Sequence, residues 1–147
     1  MGALKILQDA QNYPQVFTWN GAIARPELEN WLQTRDMNLP MDLVDCLATT
    51  GGGTLFETET LLGPYGNPDW GDGLDEVNRH YRAQGLPSHF IVFHTGLGGL
   101  SAIDQVNKNY VLLTNSDYRE QQRFPSLNAW YITHLRAEYA ARYGLGT

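Results

Sequence analysis

The sequence has only one cysteine, Cys46, and no apolar run long enough to cross a membrane. A single cysteine cannot form an intramolecular disulfide, which excludes a disulfide-stapled fold and favours a reducing compartment. Residues 1–11 contain a short cluster of Leu4, Ile6 and Leu7, which is too short for the apolar region of a signal peptide. We therefore expect a cytoplasmic protein that makes no membrane contact.

Basic residues are also scarce, because ten Lys and Arg stand against sixteen Asp and Glu and give a formal charge of −6. Such a chain attracts phosphate backbones poorly, so nucleic acid is not an expected partner. Hydrophobic residues make up 42% of the 147 positions, and the four Trp, eight Tyr and five Phe are spread along the chain. This composition is enough for one folded domain with a single core.

Apolar residues at helical spacing predict four helices. Pro26 followed by two glutamates is typical of a helix start, Ser126 is a good N-cap, and Gly51 and Gly144 are typical helix ends. The positions that carry the spacing are Leu28, Trp31 and Leu32; Leu43, Cys46 and Leu47; Leu74, Val77 and Tyr81; and Leu127, Trp130, Tyr131, Leu135 and Tyr139.

Four β-rich segments, 54–57, 90–93, 100–104 and 110–113, predict strands. The last three are joined by connections too short for a helical crossover, so we expect them to pair antiparallel. Together with the helices, these strands predict an α+β fold with a mostly antiparallel sheet and flanking helices.

Residues 1–24 are irregular in pattern, and we interpret them as an N-terminal extension of a domain that spans residues 25–147. The residues expected to be largely buried, because each lies on the apolar phase of its element, are Trp31, Leu47, Phe56, Ile91, Phe93, Val111, Trp130 and Leu135.

Three short motifs in this order resemble the SUKH superfamily, and its Smi/Knr branch most closely. They are LPMDL at 39–43 before a helix, GGGTLF at 51–56, and GLGGL at 96–100 after an apolar strand. The resemblance extends from Pro26 to the aromatic C-terminal helix that contains Trp130. It implies an α+β fold and a role in protein interaction, with no shared catalytic motif and no cofactor.

Bacterial members of this superfamily resemble immunity proteins that bind and neutralise toxins, whereas fungal relatives resemble regulators of cell-wall signalling. The resemblance therefore predicts a non-catalytic protein-binding module, with a toxin domain as the expected partner. An intracellular regulatory scaffold of the same fold is the alternative. Neither the partner's identity nor the oligomeric state follows from the sequence.

The least supported hypothesis is that the protein is a small hydrolase or a nucleotide-binding enzyme. Gly96-x-Gly98-x-x-Ser101 is similar to a dinucleotide-binding motif. The following segment, however, is predicted to be a strand, so no helix N-terminus is available to bind a phosphate. Ser101 lacks the second small residue of a nucleophile elbow and is interpreted as an ordinary strand residue. Cys46 falls on the apolar phase of its helix, where a thiol behaves as a small hydrophobe. We therefore predict no catalytic residue.

No metal ligand set is predicted either. His89 and His94 are five residues apart, which on a continuous strand places them on opposite faces. The acidic cluster from Asp69 to Glu76 departs from the calcium-loop pattern because Gly71 stands at a ligand position. A solvated acidic loop leading into a helix start is favoured over calcium binding.

The segment 63–76 is the best candidate for a partner surface, because it is longer than a connection requires. We predict that Tyr65, Asp69, Trp70, Asp72 and Asp75 form this surface, since an aromatic anchor ringed by carboxylates suits a basic protein. The other interpretation of Trp70, as a side chain that folds back to cap the core, stays open. The sheet, or the carboxylates of Asp42 and Asp45, would be the next place to look for an interface.

Overall fold

The computed structural model describes residues 3–66 and 73–146. In chain order the elements are α1 (Lys5–Asn12), a 3₁₀ turn (Pro14–Val16), β1 (Phe17–Trp19), α2 (Arg25–Gln33), α3 (Met41–Thr50), β2 (Gly53–Leu55), β3 (Glu59–Leu61), α4 (Leu74–Ala83), β4 (Phe90–Gly96), β5 (Gly99–Asp104), β6 (Asn109–Leu113), β7 (Glu120–Phe124), α5 (Leu127–Trp130), a π-helical segment (Tyr131–Arg136) and α6 (Ala137–Tyr143). The predicted α+β class is confirmed. Within these ranges, no helix combines the length and the apolar character that a bilayer crossing requires.

The seven strands form one sheet in which each strand pairs antiparallel with the next one along the chain. The predicted antiparallel pairing is confirmed, with Ile91 opposite Ile103 and Ala102 opposite Val111. A register shift between Val92 and His94 marks a bulge in β4.

Three strands were missed by the sequence patterns. Strands β1 and β3 have only three residues each, too few for an alternating pattern to show. Strand β7, with the sequence EQQRF, is a solvated edge strand whose polar residues hide its periodicity. The predicted strand at 54–57 ends at Leu55, because Phe56 and Glu57 have positive φ angles of 51° and 68° and form a turn.

The N-terminal region contains a helix that the sequence patterns did not predict. Residues Lys5–Asn12 form α1, and Ile6 and Asp9 on its inner side are buried. The Asp9 carboxylate accepts hydrogen bonds from Tyr131 Oη at 2.6 Å and Arg136 Nε at 2.7 Å, which fastens α1 to the C-terminal helical segments. The domain boundary at residue 24 stays a prediction, while β1 places residues 17–19 in the same sheet as the rest of the chain.

The glycine motif after α3 allows three backbone segments to approach one another. Gly51 ends α3 in the left-handed conformation with φ of 74°. A Cβ atom on Gly53 would lie 2.0 Å from the Thr18 carbonyl oxygen, and one on Gly63 would lie 1.8 Å from the Gly51 carbonyl oxygen. Any side chain at Gly53 would therefore push β1 away from β2.

The C-terminal helical region begins where the sequence predicted. Ser126 Oγ accepts a hydrogen bond from the Ala129 backbone N–H at 3.1 Å, which is a side-chain N-cap. The helix then widens into the π-helical segment and continues as α6 until Gly144, whose φ of 69° ends it. Trp130 and Leu135 from this region pack into the core.

Seven of the eight residues predicted to be buried are at most 1% exposed. Trp31 is the exception and is only partly buried, packed at the edge of the core. The Arg35 guanidinium stacks over its ring at 4.0 Å, and Tyr65 contacts it edge-on. Arg35 from the turn after α2 and Tyr65 from the loop after β3 thus cover a ring that the helical spacing assigned to the core.

Candidate functional site

The predicted partner surface begins at Tyr65, whose side chain is held in one orientation although the residue is 50% exposed. Its hydroxyl donates a hydrogen bond to Glu27 Oε2, and its ring meets Trp31 edge-on with the ring centroids 6.5 Å apart. The hydrogen bond to the Glu27 carboxylate also raises the pKa of the Tyr65 phenol. An aromatic side chain is therefore presented to solvent in a fixed position.

Asp75, in the first turn of α4, places the other end of the segment near the same helix. Its carboxylate lies 3.7 Å from Arg35 Nε and 3.8 Å from Arg79 Nε. Trp31 lies on α2 and Arg35 in the turn that follows it, where the Arg35 guanidinium stacks over the Trp31 ring. Trp31 contacts Tyr65, and Arg35 contacts Asp75. We call the following residues the Tyr65 surface: Glu27, Trp31, Arg35, Tyr65 and Asp75.

The other three predicted partner residues, Asp69, Trp70 and Asp72, lie outside the described residues. Their part in a partner surface stays a prediction, and so does the choice between Trp70 as an interface anchor and Trp70 as a cap on the core.

Asp42, named from the sequence as an alternative interface residue, instead joins elements inside the fold. Its Oδ1 accepts a hydrogen bond from Tyr110 Oη, and its Oδ2 accepts one from the Leu127 backbone N–H at 2.8 Å. Burial and the Asp42 hydrogen bond raise the pKa of the Tyr110 phenol. The Asp45 side chain is 41% exposed and pairs with Arg25 on α2. Of the two carboxylates, Asp45 is the one available at the surface.

A chain of buried hydrogen bonds connects three strands to the C-terminal helical region. Glu59 Oε1 lies 2.8 Å from His94 Nε2, and His94 Nδ1 lies 2.8 Å from Ser101 Oγ. Ser101 Oγ also accepts a hydrogen bond from Trp130 Nε1 at 2.9 Å. At the other end, Tyr139 Oη donates to Glu59 Oε2 at 2.7 Å. We call these five residues the Glu59 network.

The hydrogen-bond partners assign the proton positions in the Glu59 network. Trp130 Nε1 only donates, so Ser101 Oγ accepts from it and can give its own proton to His94 Nδ1. His94 then donates its Nε2 proton to Glu59. Burial by itself would raise the pKa of Glu59, but the hydrogen bonds from His94 and Tyr139 outweigh it and lower this pKa to about 2. Glu59 is therefore ionised at neutral pH.

The order Ser101, His94, Glu59 is that of a hydrolase triad, in which the histidine takes the serine proton and the carboxylate orients the histidine. A serine nucleophile must reach a substrate, however, and Ser101 is 0% exposed with its oxygen bonded to Trp130. This packing leaves a substrate no approach to Ser101. The sequence interpretation of Ser101 as an ordinary strand residue missed its role as the junction between β5 and Trp130.

The Glu59 network also supports the hairpin that joins β4 to β5. The Leu97 backbone N–H donates to Glu59 Oε2 at 3.3 Å, and a Cβ atom on Gly96 would lie 1.9 Å from Glu59 Oε1. Glycine at position 96 therefore leaves the space that the carboxylate occupies. His134 lies beside His94 with ring centroids 5.7 Å apart, and burial and this neighbour lower the pKa of His134 to about 4.

Other reactive side chains are dispersed. Cys46 is buried, and burial raises the pKa of its thiol to about 12, so little thiolate forms at neutral pH. His89 is exposed before β4, whereas His94 is buried within it. Across residues 3–66 and 73–146, no three His, Cys, Asp or Glu side chains gather as ligands for a metal ion.

Comparison with known proteins identifies the family. The profile of the SMI1 / KNR4 family (SUKH-1) matches residues 22–133. Among solved structures, a protein from Pseudomonas syringae pv. tomato superposes with a TM-score of 0.67 at 11% identity, over 87% of this chain and 96% of that chain. At this identity the likeness shows a shared fold. The search of curated proteins found no match. Because the profile covers most of the chain, the resemblance is confirmed, and the protein belongs to the SMI1 / KNR4 family (SUKH-1).

Proposed function

We propose that this chain is a non-catalytic, immunity-like protein that binds a toxin domain in the cytoplasm and blocks it. Membership of the SMI1 / KNR4 family is consistent with a protein partner. The observation that carries the proposal is the half-exposed Tyr65, fixed by Glu27 and Trp31 at the surface. Aromatic residues of this kind are enriched among the side chains that dominate binding energy at interfaces.

Preorganisation is the reason that this tyrosine suits an interface. Ordering a mobile side chain during binding costs about 0.5–1.5 kcal/mol. Tyr65 avoids most of this loss because Glu27 and Trp31 already hold it. Arg35, which stacks over the Trp31 ring, also pairs with Asp75, so charged groups lie beside the Trp31–Tyr65 pair, as in the polar rim of an interface.

The acidic charge supports a basic partner. A formal charge of −6 attracts a basic toxin domain during diffusion and raises the association rate at low salt. Three carboxylates of the predicted surface, Asp69, Asp72 and Asp75, would contribute to this attraction in the proposal. The sealed Ser101 hydroxyl argues against hydrolysis as the activity.

The test starts with a tagged form of the chain, used to recover partners from the native cells. Each recovered protein is then purified and expressed with and without the chain in a toxicity-rescue assay. Rescue of growth is the expected result. A partner that binds without any toxicity would point to the regulatory scaffold, and partners with no direct affinity for the purified chain would contradict both roles.

Variants of the Tyr65 surface locate the interface. Tyr65→Ala should raise Kd at least about tenfold, mainly through faster dissociation. Tyr65→Phe retains the ring but loses the Glu27 hydrogen bond, so its effect should be smaller. Leu97→Ala, which removes a 75% exposed apolar side chain on the β4–β5 hairpin, is the matched control and should leave Kd unchanged. Equal rates for Tyr65→Ala and the parent would place the interface elsewhere.

The predicted carboxylates need a separate measurement. Replacement of Asp69, Asp72 and Asp75 by Asn should slow association and weaken its dependence on salt, while dissociation changes little. Association rates at two salt concentrations decide this, and an unchanged salt dependence would exclude these side chains from steering.

A further inference from the structure

A groove of about 490 Å³ lies between α2 and α3 and uses a different set of α2 residues from the Tyr65 surface. Its floor is apolar, and Met41 rises from one wall with 65% of its surface exposed. Glu29 and Asp36 stand at the rim, and Lys108 reaches one part of it. The buried floor residues are Leu32, Met37, Leu39 and Val44.

The end of α2 builds this floor. The Met37 backbone N–H donates to the Leu32 carbonyl at 3.0 Å, and the Asp36 N–H donates to the Gln33 carbonyl at 3.1 Å. These two bonds define a Schellman motif, in which the residues at the positions of Met37 and Leu32 normally make an apolar contact. Asp36 occupies the left-handed position of the motif with φ of 54°.

Asp36 is an unfavourable residue for that position. Glycine is preferred there, and aspartate is less favourable than glycine although it tolerates positive φ better than most side chains. The carboxylate also stands at the negative end of the α2 dipole, where a cation is favoured. Sequences that break a local rule in this way do so most often at functional sites. Asp36 therefore has a cost to folding that a role in binding would explain.

The charged residues that line the groove are two carboxylates, Glu29 and Asp36, and one ammonium group, Lys108. Residues 25–45, which form α2, the connection and the start of α3, hold five carboxylates and two guanidinium groups. Half of the formal charge of −6 is thus concentrated in 21 residues. Arg25 is already paired with Glu29 and Asp45, which leaves the Asp36 side of the rim acidic.

We propose that the α2–α3 groove binds a basic amphipathic segment of a protein partner. An apolar side chain of this segment packs on the floor beside Met41, whose flexible thioether adapts to different shapes. A Lys or Arg residue beside it pairs with Asp36, and Lys108 disfavours a basic residue at its own end. This inference rests on the proposed function, because it names the chemistry of the partner segment.

The groove can be tested without the native partner. Random twelve-residue peptides displayed on phage are selected on the purified chain, and the enriched peptides are synthesised and titrated. We expect enrichment of Lys and Arg flanking an aliphatic or aromatic residue, and at least about tenfold weaker binding to Met41→Ala. Leu97→Ala, the matched loss of an exposed apolar side chain, should bind like the parent. Peptides without this pattern, or peptides that bind Met41→Ala as well as the parent, would overturn the inference.

Asp36 supplies a second readout that a structural role cannot imitate. Asp36→Asn keeps the shape of the side chain and removes the unfavourable charge, so it should raise the midpoint of thermal unfolding. The same variant should bind the selected peptides at least about threefold more weakly. Glu138→Gln, a charge removal at an exposed position of α6, should leave peptide binding unchanged. Loss of stability in Asp36→Asn together with unchanged binding would contradict the proposed role.

The outcomes separate this inference from the proposed function. If a toxin is neutralised through Tyr65, and Met41→Ala changes neither binding nor rescue, the groove proposal alone is overturned. If peptides bind the groove but no toxin is neutralised, the immunity role is contradicted and the groove proposal is retained. Sedimentation of the parent and of Met41→Ala checks for self-association. A dimer that requires Met41 would show that the groove binds a second copy of the chain, which would overturn the proposal.

Discussion

Replacement of Gly96 by alanine should destabilise the fold through the buried carboxylate of Glu59. The new Cβ atom would lie 1.9 Å from Glu59 Oε1 and 2.5 Å from Glu59 Cδ, so the carboxylate must move. It cannot move freely, because His94 and Tyr139 hold its two oxygens at 2.8 and 2.7 Å. The substitution therefore breaks or bends hydrogen bonds to a buried charge.

The size of this effect follows from those bonds. A hydrogen bond to a charged group contributes about 1.5–3 kcal/mol, and two of them are weakened together. Replacing glycine by alanine also restricts the unfolded chain, which returns about 0.4–1 kcal/mol. We expect a net loss of roughly 3 kcal/mol in the free energy of unfolding, which corresponds to a drop of about 10 °C in Tm for a chain of this size.

Urea denaturation followed by circular dichroism measures this loss, with Gly98→Ala as the control. A Cβ atom on Gly98 meets only His134 Cε1 at 3.8 Å, an ordinary contact, so this variant should stay within about 0.5 kcal/mol of the parent. When Glu59 is also replaced by alanine, the new Cβ atom at position 96 has no carboxylate to clash with. Gly96→Ala should then lower the free energy of unfolding only slightly. Equal stability of Gly96→Ala and Gly98→Ala would refute the assigned role of Gly96, and so would additive costs in the double variant.

Three further predictions concern stability. Trp130→Ala should lower the free energy of unfolding by about 3–5 kcal/mol, and an unchanged Tm would show that the C-terminal helical region is not docked. Acid should destabilise the protein through His134. The pKa of this residue is about 4 in the native state and 6.5 in the unfolded chain. Between these two pH values the unfolded state binds more protons than the native state, so the free energy of unfolding falls as the pH is lowered. Urea titrations at pH 7 and pH 5 should therefore show a smaller acid loss for His134→Gln than for the exposed control His80→Gln, and equal losses would contradict this. Asp42→Ala should cost about 2–3 kcal/mol whereas Asp45→Ala stays near neutral, and equal denaturation midpoints for the two would remove the assigned role of Asp42.

The sequence alone predicted the features that depend on neighbours along the chain. The start of α2 at Arg25, the end of α3 at Gly51 and the cap at Ser126 are set by backbone groups within one helical turn, so local residue types identify them. The antiparallel pairing of β4, β5 and β6 follows from the short connections between them, which are too short for a helical crossover. Short motifs in a fixed order were also enough for the family.

Elements without a strong local pattern were beyond the sequence. Strands β1 and β3 are too short to show an alternation, and the polar edge strand β7 gains its structure by pairing with β6. Trp31 was expected in the core because helical spacing reports only the face of a helix. Whether that face meets the core or a loop depends on Tyr65, which is distant in the chain.

The roles of the buried polar groups were decided by tertiary structure alone. Glu59 and His94 are 35 residues apart, and Asp42 reaches Leu127 across 85 residues. When only the neighbours in sequence are known, a polar side chain is expected to be solvated, since an unpaired charge is costly to bury. The fold reverses that expectation by bringing a partner from a distant strand or helix, because the free energy of a buried carboxylate depends on the donors around it rather than on its place in the sequence.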